Sequence, residues 1–342
     1  MNILIPSLHV PFVKGGADLM TAGLRQALAD FGHHTEIVYF PFDFCSTDHI
    51  SRLMDFCRAQ NLENINGYPI HKLVVLQFPA YYIPHPDKAV WLMHQHRPAY
   101  DLYDPSQATR ELTALRKKIH DWDQQVLAGL PALFTMCRNI SRRLARFNRI
   151  DSTPLYHPPA GENRFYCDDP LDVIFFPSRL ETLKRQDLLI RAMAYTRSPV
   201  TAVIAGEGGQ KPHLEALIQD LDLTRKVILA GHISEAEKFA LYARSLGVFF
   251  GPFDEDYGYI TLEAMLSAKP VITCTDSGGP LEFVTDGDTG FVVDPDPVQV
   301  AEKIDWLHAR KSTAQSMGRA GRQAYLEKNI NWHSVAETLL TP

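Results

Sequence analysis

Short apolar runs recur along nearly the whole chain, each closed by glycine, proline or charge and followed by an amphipathic stretch. That alternation leaves few folds open. A strand buried on both faces reads as a continuous apolar run, and a covering helix reads with a 3.6-residue period. Together they describe a parallel sheet with helices on both faces. In the first half the strand runs fall at 3–6, 36–39, 73–77, 90–93 and 132–136, with helical patterns at 18–31, 106–130 and 140–147. A proline-rich stretch, "TPLYHPPAGENRFYCDDP", then interrupts the pattern at 153–170 and reads as a linker. The alternation restarts with strands at 173–177, 200–205, 227–229, 247–250, 270–273 and 290–293, and a last helix covers about 298–328.

With 342 residues the chain exceeds one comfortable core, so two domains of roughly 150 to 170 residues are expected. The boundaries read as 1–158 and 159–325, with a terminal segment at 326–342. Two α/β halves joined by a hinge predict a ligand cleft at strand C-termini. A net charge of -6 argues against a general nucleic-acid binder. The five cysteines (Cys45, Cys57, Cys137, Cys167, Cys274) are scattered and form no Cys-x-x-Cys. Free thiols in a reducing cytoplasm fit this better than a disulfide framework or a zinc site. The opening "MNILIPSLHVPFV" lacks a basic region and carries Pro6 and Pro11, unlike a secretory signal. No apolar run approaches the roughly 20 residues that span a bilayer. The expected location is cytoplasmic, at most peripheral to a membrane.

Five stretches carry candidate chemistry. Gly15 and Gly16 precede Asp18, an N-cap type residue, and a helix. Backbone amides at such a turn suit a phosphate, although a plain strand-to-helix turn reads equally well and no Gly-x-Gly-x-x-Gly is present. Arg179 follows an apolar strand directly, with Lys184 five residues on, and cations there would offset a diphosphate. Arg185 and Arg191 read as a solvated face. "AGEGG" is a weak signal, more simply a tight turn. In "GPFDEDYGYITLEAML", Glu255 and Glu263 flank Gly258, an arrangement that the helix dipole explains only in part. Carboxylates at that spacing can accept paired hydroxyl hydrogen bonds from a ribose or hexose. Finally, "RNISRRLARFNR" (138–149) carries Arg142, Arg143, Arg146 and Arg149. It reads either as a solvated helix face or as a membrane-docking element.

These residues resemble a known family. "EDYGYITLE", "KPVIT" and "GGPLEFVTDGDTG" are similar to the C-terminal signature of the retaining GT-B glycosyltransferases of family 4. Arg179 with Lys184, "AGEG", "GHIS", Gly15 with Gly16, and His94 in "VWLMHQHRPAYD" are similar to further positions of that pattern. The likeness is specific in the C-terminal half and thinner before residue 158. It implies an α/β GT-B architecture of two Rossmann-like doubly wound parallel-sheet domains facing a cleft. An acceptor-binding domain would come first and a donor-binding domain second, with the terminal segment packed back on the first.

By the same resemblance, Glu263 would hold the nucleotide ribose, and Glu255 would contact donor-sugar hydroxyls beside amides at Tyr257, Gly258, Tyr259 and Ile260. Arg179 and Lys184 would stabilise the leaving diphosphate, Gly15 and Gly16 would sit beside the phosphates, and His94 near the transferred sugar. The implied reaction moves a hexose from a GDP- or UDP-linked donor to a saccharide or lipid-linked acceptor. Configuration is retained and no metal or other cofactor is needed; bacterial surface polysaccharide synthesis is the expected setting. Asp256 and Gln95 stand where the family usually has glycine and aspartate. Two other classes stay open, a nucleotide-sugar 2-epimerase and a non-catalytic sugar- or nucleotide-binding module.

Overall fold

The computed structural model describes residues 1–12, 15–44 and 46–341. It divides into two compact units, Met1–Ala160 together with the stretch from Asn331 onward, and Gly161–Ile330.

The first unit begins with β1 (Asn2–His9), α1 (Gly16–Asp30), β2 (His34–Pro41) and α2 (Thr47–Ala59). A small antiparallel hairpin follows, β3 (Asn64–Ile65) with β4 (Tyr68–Pro69). Then come β5 (Lys72–Gln77), β6 (Lys88–His94), α3 (Arg110–Leu127), β7 (Leu133–Thr135), α4 (Arg138–Asn148) and β8 (Thr153–Pro154). The sheet runs β2-β1-β5-β6-β7-β8, every neighbouring pair parallel. The middles of the central strands are apolar because helices cover both faces: Leu73, Val74 and Val75 in β5 and Val90, Trp91 and Leu92 in β6 are fully buried. On β5 a buried lysine, Lys72, is neutralised by Asp87 at 2.7 Å.

The second unit repeats the alternation with β9 (Val173–Pro177), α5 (Gln186–Tyr195), β10 (Thr201–Ala205), α6 (Lys211–Asp220), β11 (Val227–Gly231) and α7 (Glu235–Arg244). It continues through β12 (Gly247–Phe249), α8 (Tyr259–Leu266), β13 (Val271–Cys274), β14 (Gly290–Val293), α9 (Pro297–Ala309) and α10 (Lys311–Glu327). Its parallel sheet has the order β11-β10-β9-β12-β13-β14. This is the doubly wound arrangement in which the strand order reverses between the first and fourth strands, here β9 and β12. The last helix, α11 (Trp332–Leu340), belongs to the first unit, where it packs on α1. Trp332 there meets Trp91 edge to face at 6.2 Å.

Three expectations change. Helix α2 was not anticipated, although Ser46 caps it and Ile50, Leu53, Met54 and Cys57 form its buried stripe. The single helix expected over about 298–328 is two, broken at Arg310, whose φ of -132° leaves the helical region. Part of the expected linker is ordered strand, since β8 pairs with β7. The described cysteines Cys57, Cys137, Cys167 and Cys274 are free thiols, and Cys45 lies outside the described residues. Among the described residues no helix is long and apolar enough to cross a membrane.

Candidate functional site

Parallel strands all end at one edge of a sheet, so the loops leaving β9, β10, β12 and β13 must gather there. Backbone bonds tie them together in the second unit. Leu180 N–H donates to Glu207 O at 2.9 Å and Phe253 N–H to Leu183 O at 2.8 Å. Asp254 and Glu255 donate to Asp276 O and Ser277 O, both at 2.9 Å, and Gly279 returns a bond to Glu255 O at 2.8 Å. The glycine at 279 is enforced by packing, because a Cβ there would stand 2.6 Å from two carbonyl oxygens, those of Asp256 and Tyr257. Strand-order reversals are the usual ligand sites of such sheets, and this one falls between β9 and β12.

Across that reversal Lys184 donates to the Glu255 carboxylate, both side chains about one-fifth exposed. Arg179 also lies on the β9 loop; it is exposed and forms no ion pair among the described residues. The structure thus joins Lys184 to Glu255 and leaves the Arg179 guanidinium open to solvent. Next to Lys184, Arg185 makes a bidentate pair with Asp276, 2.7 Å to each oxygen. This corrects the reading of Arg185 as a solvated cation, for it clamps the β9 loop to the β13 loop. Such fork-to-carboxylate bonds are among the stronger ones available.

Helix α8 starts at Gly258, whose φ of +83° is a conformation that favours glycine. Tyr257 is buried, and Tyr259 and Ile260 are half-buried. From Thr261 to Leu266 every position of α8 is buried, so Glu263 sits in a helix without a solvent face. A carboxylate in such surroundings must be satisfied. Tyr242 donates to one of its oxygens at 2.6 Å and Lys238 to the other at 3.1 Å, both from α7. The hydroxyls of Tyr242 and Tyr259 are pushed upward by burial, with the Glu263 charge adding to the shift. Lys238 is also held 5.4 Å from the Phe239 ring and 5.7 Å from that of Phe165. Sequence reasoning missed Lys238, Tyr242 and Asp276. A tyrosine and a lysine on an amphipathic helix read as core and surface, and only the packing of α7 on α8 reveals their shared partner.

In the first unit, Gly15 is the N-cap of α1 and Asp18 its third residue, not the cap. The Asp18 carboxylate accepts the Gly15 N–H at 2.9 Å, so this acid already compensates part of the helix N-terminus. Gly16 is exposed, and a Cβ on Gly15 would meet nothing within 4 Å. No packing constraint therefore demands glycine at 15. His94 ends β6, half-buried, with Nδ1 2.8 Å from Gln95 O. Gln95 is buried and donates to Asn148 Oδ1 at 2.6 Å. On α4, Arg138, Arg142 and Arg146 are exposed, whereas Arg143 is 6% exposed and belongs to the interior, which narrows the expected basic face.

Residues 167–324 match the family model of glycosyl transferases group 1. The chain is 36% identical over 115 residues to the alpha-1,3/1,6-mannosyltransferase ALG2 of Mus musculus, covering 34% of this chain and 28% of that protein. It is 35% identical over 175 residues to the GDP-mannose-dependent alpha-(1-6)-phosphatidylinositol monomannoside mannosyltransferase of Mycolicibacterium smegmatis, covering 47% of this chain and 45% of that protein. The chain thus spans less than half the length of these curated relatives. Among solved structures, the sucrose-phosphate synthase of Thermosynechococcus elongatus superposes with a TM-score of 0.78 at 17% identity, covering 98% of this chain and 97% of that one. The shared fold is GT-B, and at that identity it speaks for the fold alone.

Proposed function

We propose, from the premise that residues 167–324 form a group 1 glycosyl transferase domain, that this chain is a glycosyltransferase. Its second unit would bind a hexose on a nucleoside diphosphate, GDP- or UDP-linked, and its first unit a saccharide or lipid-linked acceptor. The observation that carries this reading is the Lys184–Glu255 pair at the strand-order reversal, with Arg179 exposed on the same β9 loop. Breaking a glycosidic bond to a diphosphate puts negative charge on the leaving oxygen. An ammonium preset at that point, joined by the Arg179 guanidinium from the same loop, would stabilise the transition state more than the ground state. In this scheme Lys184 exchanges Glu255 for phosphate, and Glu255 contacts donor-sugar hydroxyls. Glu263 takes the ribose diol on the lone pairs that Lys238 and Tyr242 leave. Both mannosyl relatives favour mannose as the first donor sugar to test.

Retention of configuration, a metal-free reaction, a cytoplasmic setting with at most peripheral membrane contact, and a role in bacterial surface polysaccharide are parts of the same proposal. The deciding experiment incubates the protein with a panel of GDP- and UDP-hexoses, with and without acceptors, and identifies the products. Nucleotide release that depends on an acceptor supports a transferase. An altered donor sugar without acceptor makes the protein an epimerase, and binding without either product makes it a binding module. Turnover should persist in chelator, and loss restored by a divalent cation would overturn the metal-free part.

A further inference from the structure

A pocket lies on the helical face of the second unit. Its volume is about 450 Å³, and Tyr195 at the end of α5, Arg197 just beyond it, and Glu302, Asp305 and Trp306 of α9 with Arg310 line it. Helix α5 begins directly after the Lys184–Arg185 loop and runs for ten residues, so Tyr195 stands roughly 15 Å along the helix from the candidate donor edge. The pocket is therefore a different place from the one where the strand ends gather.

Its chemistry is specific. Tyr195 is 58% exposed, an aromatic ring left open to solvent. Trp306 is half-buried and fixed edge to face on Phe291 at 5.0 Å, with the Arg310 guanidinium 5.1 Å from its ring centre. Asp305 braces the wall by accepting Ser198 Oγ at 2.7 Å, Ser198 N–H at 2.9 Å and Arg197 N–H at 3.1 Å. The Arg197, Glu302 and Arg310 side chains, by contrast, form no ion pair among the described residues. Two guanidinium and two carboxylate groups balance in charge, so the lining selects neither an anion nor a cation. Aromatic rings beside planar groups that hydrogen-bond through two atoms match one ligand class well. Such a ligand has an apolar face, a rim of vicinal hydroxyls and no net charge.

The geometry points to a second, non-catalytic saccharide site here, taking a neutral oligosaccharide. If the chain transfers sugars to a growing glycan, this site gives the glycan a foothold away from the reacting end and raises its local concentration. Binding itself is independent of that reading and is measured without turnover. The full chain is titrated with linear neutral oligosaccharides, a manno-series and a gluco-series, following tryptophan fluorescence, with Trp306→Phe to identify the reporting ring. A saturable change is expected that disappears in Trp306→Phe, while Tyr195→Ala and Glu302→Gln each weaken binding at least tenfold. Affinity for free nucleoside diphosphate, measured by calorimetry on the same proteins, should be unchanged in all three variants. Absence of a saturable change, or equal affinity in Tyr195→Ala and Glu302→Gln, overturns the site. Tighter binding of a uronic-acid or phosphorylated series overturns its assignment to neutral sugars. Failure of nucleoside diphosphate to bind the unmodified protein would instead count against the transferase reading and leave the saccharide site standing.

Discussion

Lys184 and Glu255 are 71 positions apart in sequence and form an ion pair across the point where the strand order of the second sheet reverses. Neither side chain is deeply buried, so the pair can open without stranding a charge in an apolar interior. Under the proposed function, the ammonium held there would pass to a phosphate at little reorganisation cost.

Lys184→Ala should therefore act on the chemical step. A group whose contact strengthens as the glycosidic bond breaks lowers kcat more than it raises KM when removed. The expected loss is about 100-fold in kcat. Steady-state kinetics in donor concentration check it; an effect confined to KM would make the lysine a binding group only.

Glu263→Ala should weaken nucleoside diphosphate binding by tenfold or more, because charge-assisted bonds to a ribose diol contribute about 1.5–3 kcal/mol each. It should also lower the melting temperature. Truncation leaves the fully buried Tyr242 hydroxyl without its acceptor, a cost of roughly 1–3 kcal/mol. Calorimetric titration and thermal unfolding separate the two effects. Unchanged affinity in a destabilised variant would reduce Glu263 to a packing role.

Acid should destabilise the first unit through two histidines. Burial, then the nearby His94 charge, lowers His96 to about 4, and burial lowers His157 to about 3. A histidine depressed in the folded state contributes stability that is complete above about 6.5 and lost as pH falls toward the folded value. For His96 alone that is on the order of 3 kcal/mol. Asp123 opposes this. Burial raises its carboxyl to about 6 despite three tyrosine hydroxyl bonds, from Tyr81, Tyr82 and Tyr100. Its contribution therefore grows as pH falls from about 6 to about 4. His33 and His120, also lowered by burial, act in the same direction, so melting temperature should drop between pH 7 and pH 5, and His157→Gln should flatten that slope. Parallel slopes for the two proteins would remove His157 from the account.

The second unit should bind nucleotide alone. Residues 161–330 have their own core, closed by Tyr325 donating to Glu162 at 3.2 Å and Phe165 against Phe239 at 4.6 Å. They also carry Arg179, Lys184, Glu255 and Glu263. The isolated fragment should retain nucleoside diphosphate affinity within a few-fold and transfer no sugar, since Gly15, Gly16 and His94 are absent. A fragment that transfers at the full-length rate would place the whole reaction in the second unit.

Sequence by itself determined the layers. Short continuous apolar runs such as "VIFFP", closed by glycine, proline or charge, read as strands covered on both faces, and the positions of β9, β10, β12, β13 and β14 follow from that pattern to within a residue or two. It also singled out Arg179, Lys184, Glu255 and Glu263, because charges beside apolar strand ends and a buried helix stand out against local propensity. The stripe of Ile50, Leu53, Met54 and Cys57 was equally present, but α2 is rich in polar residues and its pattern is clear only once a core exists to receive it. What tertiary structure alone decided is who partners whom. That Arg185 grips Asp276, that Glu263 is shared by Lys238 and Tyr242, and that Asp18 already occupies part of the α1 N-terminus depend on which loops and helices are brought together. Local periodicity encodes burial, a property each residue carries along the chain. The pairing of charges belongs to the sheet order, which a one-dimensional pattern does not contain.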